Sequence, residues 1–581
     1  MDIIEYDALI LGSGIAGMTA ALHAELESGG RLHIALVSKT HAMRSHSVAA
    51  EGGISGVLYP GQNADSEELH AYDTVKGSDY LADQDAVERL VRSAPREIKF
   101  FEHIGVPWNR DAHGRISERA FGGMSVPRTA FAADKTGFFM MRALYDEITA
   151  HKGIEVLHEH LVTSLIMDRG RFLGLYAIDM ATGKPLLLRA RACVIATGGF
   201  ARVYGFTTTS YSSTGDGIAL AYEAGLPLKD MEFVQFHPTA LVPSGILITE
   251  AARGEGGYLV NSEGKRFMAD YARSKMELAP RDIISRAIIS EIGAGRGMKH
   301  RESGLDYVNL DLRHLDSRII DERLPMIRDI TNKMLHLDPG RELIPVRPAA
   351  HFTMGGIHTD IDGRVMLGPA GRAASGLWAA GECACVSVHG ANRLGSNSLS
   401  QCAVWGRIVG EGIARYAARH HAVEEVRMLK KRAEAEEGRI NGMLEGDGHE
   451  DPYAIMGAMR LTMDRYLYVY RTRSGMARAV KELRALRSRL RNIRVKDRGR
   501  IYNSNLKDAI ELWNLLHLAC AVAESAVRRK ESRGAHFVLE HPERDDRKWL
   551  EHTVIMKGLG GNRVSYIPVR VSKWKPEKRV Y

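Results

Sequence analysis

Apolar and polar positions alternate in blocks along this chain. Short, nearly continuous apolar runs stop at glycine-rich turns, the pattern of strands buried on both faces of a parallel sheet. Asp7 to Leu11 is the first run, Gly12-Ser13-Gly14-Ile15-Ala16-Gly17 a tight turn, and Met18 to Glu27 a helix. Leu32 to Lys39 reads as the second strand. Strand, glycine loop, helix and strand in that order predict a dinucleotide-binding unit. Its first glycine permits the turn, its second lets backbone approach a pyrophosphate, and its third lets helix pack on strand. The N–H groups and positive dipole end of the helix then face the phosphates. Two later runs predict further strands of the same sheet, Ala192 to Gly199 and Gly376 to Glu382. The second sets Glu382 at a strand's carboxyl end, where ligands of open parallel sheets bind, to meet ribityl or ribose hydroxyls. Thr214-Gly215-Asp216-Gly217 offers a similar turn.

Other patterns divide the rest. Residues 236 to 350 form an insertion with a mixed pattern and dense polar motifs, and from about residue 415 the chain is helix-rich and charged, through Glu424-Glu425 and Lys430-Lys431-Arg432. Leu483, Leu486, Leu490 and Ile493 recur at helical spacing, predicting one apolar stripe with arginines elsewhere. Ala509 to Val527 is the most apolar stretch, but Glu511, Asn514, His517 and Glu524 interrupt it, so a buried helix is expected and not a membrane span.

At 581 residues several structural units are expected. The five cysteines, Cys193, Cys383, Cys385, Cys402 and Cys520, show no metal-ligand spacing, so no metal site and no disulfide framework is expected. The opening residues show no basic region followed by an apolar core, which predicts a cytoplasmic protein. The net charge of +8 is local: between Arg471 and Arg500 twelve Lys or Arg face only Glu482 and Asp497. A solvated helix face is the first reading of that run, and an acidic partner or membrane surface the second. No aromatic interleaving points to nucleic acid.

The chemistry gathers in a few motifs. Met43-Arg44-Ser45-His46-Ser47-Val48-Ala49-Ala50-Glu51-Gly52-Gly53 follows the second strand closely, which sets His46 near a bound cofactor. Phe236-His237-Pro238-Thr239, His351-Phe352-Thr353 and Asn392-Arg393-Leu394-Gly395-Ser396-Asn397-Ser398 carry histidines and an arginine. Thr249-Glu250-Ala251-Ala252-Arg253 and Pro280-Arg281-Asp282 lie in the insertion. A small dicarboxylate needs donors at both ends, and Arg393, His237, His351 and Thr249 are donors suited to it. Arg281 could instead serve only in an ion pair with Asp282.

With these motifs in this order, the chain resembles the flavoprotein subunits of succinate dehydrogenases and fumarate reductases, from the glycine loop to Lys578-Arg579-Val580-Tyr581. The resemblance implies an α/β fold: a Rossmann-like FAD-binding domain (1–235 and 351–415) interrupted by an α+β capping domain (236–350). A helical domain (416–530) and a short C-terminal subunit-contact segment (531–581) would follow. It implies FAD held covalently through His46, with contacts from Gly12, Ser13, Gly14, Ile15, Ala16, Gly17, Ser38, Lys39, Ser47, Glu51, Gly52, Gly53, Asp216, Glu382, Ser398 and Leu399. It implies fumarate or succinate on His237, Thr249, His351 and Arg393. Hydride would pass between flavin N5 and the dicarboxylate, with Arg281 as proton donor or acceptor and Glu250 and Arg253 as its relay. Ser38-Lys39 stands where a general dinucleotide fold has an acidic residue, yet matches this family. A carboxylate at Glu51 would lower the flavin potential and lean the enzyme to fumarate reduction. Succinate dehydrogenase of respiratory complex II is the first alternative; an L-aspartate oxidase-like enzyme and a non-catalytic electron-transfer flavoprotein are more remote. The implied partners are an iron–sulfur subunit and either membrane-anchor subunits with quinone or a thiol-linked subunit, at the inner face of the cell membrane. The Glu531–Asp546 stretch is expected to contact the iron–sulfur subunit.

Overall fold

A computed structural model describes residues 2–61, 64–421, 426–558 and 561–580; Glu424-Glu425 and Tyr581 lie outside them. At its centre five strands run parallel in the order Ala373–Ala379, Ala192–Ile195, Ala8–Leu11, Ile34–Val37 and Ile154–Leu157. Trp378, Val194, Ile10, Leu36 and Val156 stand level across them. Each of the inner strands is buried along its length, which is why its sequence is a continuous apolar run and not an alternation. Antiparallel strands, among them Arg171–Asp179 and Pro185–Arg189, extend one side.

Helix Ile15–Ser28 covers this sheet and packs along helix Asn397–Ala417. The approach is so close that a Cβ on Gly410 would lie 2.5 Å from the Ala20 carbonyl oxygen. The sequence therefore joins its first and last nucleotide-binding segments by a glycine contact nearly four hundred residues apart.

The insertion builds an antiparallel sheet of Val234–Leu241, Ile344–Thr353, Asp306–Asp311 and Tyr258–Val260, with helix Arg281–Glu291 packed on it. Its buried apolar residues, from Leu241 to Val346, form a cluster separate from the one under the parallel sheet. The two long strands enter and leave this cap side by side, and they carry His237 and His351.

Helices Val426–Glu445, Pro452–Tyr466, Arg473–Arg489 and Ser504–Ala526 follow. The basic helix stops at Arg489, earlier than its leucine spacing predicts, yet Leu483, Leu486, Leu490 and Ile493 are all buried. Several of its cations are spent internally, Arg478 on Glu482, Arg484 on Glu524 and Arg489 on Glu450. No helix among the described residues is long and apolar enough to cross a membrane. The hairpin Glu551–Met556 and Arg563–Pro568 then joins a second sheet through Leu228–Lys229.

Within the Glu531–Asp546 stretch the first charges turn inward. Glu531 and Arg533 are buried and ion-paired with each other, and Arg529 joins them from the preceding turn. Arg529 also binds Glu232 at 2.7 Å, a partner some three hundred residues away that the sequence does not show.

Candidate active site

The parallel strands end together, and their carboxyl ends open into one cavity of about 460 Å³. All of the residues singled out from the sequence line it except Gly17 and Arg253. Gly17 is structural. A Cβ there would lie 1.8 Å from the Gly12 carbonyl oxygen, and one on Gly12 would lie 2.2 Å from that of Ala196. Gly14 caps helix Ile15–Ser28 with no side chain, so the helix N-terminus meets the cavity as bare backbone. One of its N–H groups, on Ile15, reaches Ser47 Oγ at 3.3 Å. A glycine cradle, an uncapped helix end and a deep cleft fit a dinucleotide.

At this end Ser13 and Ser38 hydroxyls bond at 2.7 Å. Lys39 donates to Asp216 at 2.7 Å, Glu511 at 2.6 Å and Thr214 at 2.8 Å, and Asn514 donates to Asp216 at 3.0 Å. Burial opposes the charge of Asp216, but Lys39 outweighs it and holds the carboxyl below its usual range. Glu511 and Asn514 belong to helix Ser504–Ala526, so the helical region closes this end. Sequence reading saw them only as interruptions of an apolar run. That interruption was the available signal.

In the middle, Glu382 accepts from the Thr353 N–H at 2.9 Å and its hydroxyl at 3.1 Å, and burial pushes its carboxyl up to about 7. His46 lies in the short turn His46–Ala49, where its Nδ1 accepts from the Ser210 N–H at 3.3 Å. Burial lowers its pKa to about 4, so the ring is a neutral imidazole near pH 7. Glu51 differs from expectation. Burial first and Asp134 second raise its pKa well above the usual range, against the pull of Arg119, a shift its identity alone does not show.

The other end lies under the cap. His237 and His351 face each other with ring centroids 5.0 Å apart. His351 Nδ1 bonds the Thr208 hydroxyl at 2.7 Å; His237 Nδ1 accepts from the Thr239 N–H at 3.3 Å, leaving its Nε2 buried without a partner. Burial, then Arg281, holds both rings well below their ordinary pKa, so they are neutral donors. Arg393 donates to Ser398 Oγ at 3.1 Å and stacks 4.6 Å over Phe352, while its Nε is buried and unpartnered. Thr249 lines the same end.

Arg281 enters from the first turn of its helix. Its Nε donates to Glu250 at 2.7 Å and its Nη1 to Gln235 Oε1 at 3.0 Å. Its partner is therefore Glu250; Asp282 instead pairs with Arg286 and Arg579. Glu250 also accepts from the Gly122 N–H at 2.6 Å and lies 3.7 Å from Arg253 Nη2. Burial opposes its charge, but Arg281 and Arg253 outweigh burial and keep it ionised. Gln235 and Gly122 were missed: the glutamine stood two residues before a flagged histidine, whereas a backbone N–H leaves no mark in a sequence.

The chain matches the model of an FAD binding domain over residues 7–399 and that of the fumarate reductase flavoprotein C-terminal region over residues 456–581. The fumarate reductase flavoprotein subunit of Mycobacterium tuberculosis is 44% identical, over 99% of both chains. The succinate dehydrogenase flavoprotein subunit of Rickettsia bellii is 40% identical, over 99% of this chain and 98% of its own. Among solved structures, Escherichia coli quinol fumarate reductase superposes with a TM-score of 0.95 at 41% identity, over 100% of this chain and 99% of that one.

Proposed function

Because the chain belongs to the FAD-binding flavoprotein subunits of fumarate reductases and succinate dehydrogenases, an oxidoreductase family, we propose that it interconverts fumarate and succinate at the cap end of its cavity, with fumarate reduction as its direction. The observation that carries this reading is a set of buried, unspent donors: His237 Nε2 and Arg393 Nε, beside Arg281. Buried donors without partners are costly, and a ligand with two carboxylates repays that cost.

FAD, when bound, supplies the two-electron chemistry. Arg393 and His237 hold the carboxylates, with His351 and Thr249 completing the grip. Fixed positive charge next to the substrate double bond stabilises the carbanion that forms as it is reduced. Arg281 gives that carbon its proton. An arginine is a weak acid, with a free pKa above ~12, but it is always loaded and a carbanion is a far stronger base. Glu250 reloads it, with Arg253 behind; the three groups are contiguous. The other residues named for the cofactor take the dinucleotide along the strand ends.

His46 is the proposed point of covalent attachment, supported by its neutral ring in the cavity wall. A denaturing gel should show a fluorescent flavin band at the chain's mass, absent in His46→Ser; complete release of flavin by acid precipitation would refute the linkage.

The five cysteines are free, and no metal-binding cluster occurs among the described residues. One-electron transfer to or from the flavin is therefore assigned to an iron–sulfur partner. Membrane-anchor subunits with quinone, as the name of the Escherichia coli relative suggests, would complete a peripheral complex at the inner face of the membrane. The isolated holoprotein should reduce fumarate with a reduced viologen dye but not with a quinol, and Arg393→Ala should abolish the dye-linked rate. Full quinol-linked activity without a second polypeptide would remove the partner proposal; a normal rate in Arg393→Ala would remove the substrate site.

A further inference from the structure

The helix that carries Arg281 is tied, one residue on, to a part of the chain some three hundred residues away. Asp282 is buried outside the cavity wall. Its Oδ2 accepts from Arg579 Nη2 at 2.7 Å and from Arg286 Nη2 at 3.0 Å. The same Arg579 nitrogen lies 3.1 Å from Asp79 of the FAD-binding part. Asp79 also binds Arg544 at 2.7 Å, and the pairing runs on through Asp546, Arg533, Glu531 and Arg529 to Glu232. Glu232 stands three residues before Gln235, whose carbonyl holds Arg281 Nη1. One continuous line of charges thus begins and ends next to groups that fix the Arg281 guanidinium.

Ion pairs, largely buried as most of these are, add little net stability compared with apolar packing, so a chain of them this long calls for another use. Arg286 also pairs with Asp282, but it lies on the same helix, and its ties to other segments, to the Gly534 carbonyl at 3.0 Å, the Phe537 ring and the Tyr470 hydroxyl, involve no opposite charge. Arg579 is the charged tie of Asp282 to a distant segment.

We propose that Arg579 is a positioning residue for proton transfer: through Asp282 it fixes the first turn of helix Arg281–Glu291, and so sets where the Arg281 guanidinium stands. This rests on the reading of Arg281 as proton donor. Arg579 does not line the substrate cavity, so its loss shifts Arg281 while leaving the grip of Arg393 and His237 in place.

The test uses the flavin-loaded protein, with dye-linked fumarate reduction and amide hydrogen exchange as separate readouts. Arg579→Ala should lower kcat by roughly tenfold to a hundredfold, the scale set by sub-ångström misplacement of a reacting group. Its KM for fumarate should stay near that of wild type. Exchange in the first turn of helix Arg281–Glu291 should quicken. Arg579→Lys should recover part of both, since it restores the charge but not the fork. Combining Arg579→Ala with Asp282→Asn should be no worse than the poorer single variant. Wild-type kcat and exchange in Arg579→Ala, or a raised KM with unchanged kcat, would overturn the proposal. Should Arg579→Ala fail to fold, Arg579→Lys decides by the same criteria. Faster exchange in Arg579→Ala together with normal kcat in Arg281→Gln would keep the tie and discard the proton-donor reading instead.

Discussion

At the residue scale, two arginines of the same cavity do different work because their side chains are spent differently. Arg281 has Nε on Glu250 and Nη1 on Gln235, whereas Arg393 keeps a buried Nε free for a ligand. Arg281→Gln should therefore lower kcat by about three orders of magnitude or more with a nearly unchanged dicarboxylate KM, the signature of a group used only in the transition state. Arg393→Ala should damage both constants. Steady-state kinetics with a reduced dye separates the two patterns, and a near-normal kcat in Arg281→Gln would end the proton-donor role. The sequence named Arg281, Arg393 and Glu250 but not Gln235, and of its two readings of Arg281, one beside Glu250 and Arg253 and one in an ion pair with Asp282, the fold supplies Glu250 as the ion-pair partner. Neighbours in sequence on a helix point in different directions, so adjacency was poor guidance.

At the scale of elements, the glycine loop was legible because its requirement is steric. No side chain fits where helix Ile15–Ser28 crosses the first strand, and Gly17→Ala would drive a Cβ into the Gly12 carbonyl. That variant should lose tight FAD binding and several degrees of thermal midpoint, measured by flavin release and circular dichroism; retention of both would mean that the helix can retreat without cost. The basic helix was legible only in part. Its stripe of leucines is buried as expected, but it ends at Arg489, and Ile493 reaches the core after the chain has left the helix. Periodicity reports which residues turn inward; it does not report where hydrogen bonding stops.

At the scale of the whole molecule, the C-terminal hairpin is fastened to the FAD-binding part by a buried charge. His552 lies between Asp230 at 2.7 Å and Asp83 at 3.3 Å. Burial alone would lower its pKa, but the two carboxylates outweigh it and raise the value to about 9. A histidine raised in this way adds stability that is complete below its unfolded pKa of about 6.5 and is lost as pH rises through about 9. The thermal midpoint should fall between those pH values, and His552→Gln, starting lower, should flatten the fall. A wild-type fall that His552→Gln leaves unchanged would assign the titration elsewhere.

By itself the sequence determined the nucleotide-binding strands, the glycine turn, the family and the residues that meet in the cavity. Each of these is written in local pattern: an apolar run, a turn that only glycine can make, a short motif of fixed spacing. Only the tertiary structure decided which charges exist and whom they bind. Burial raises the Glu51 pKa well above the usual carboxylate range, His237 and His351 are neutral donors, and the Glu531 and Arg533 charges are buried in ion pairs. Protonation depends on burial and on neighbours brought from hundreds of residues away, and a sequence gives the identity of an ionisable group without its surroundings.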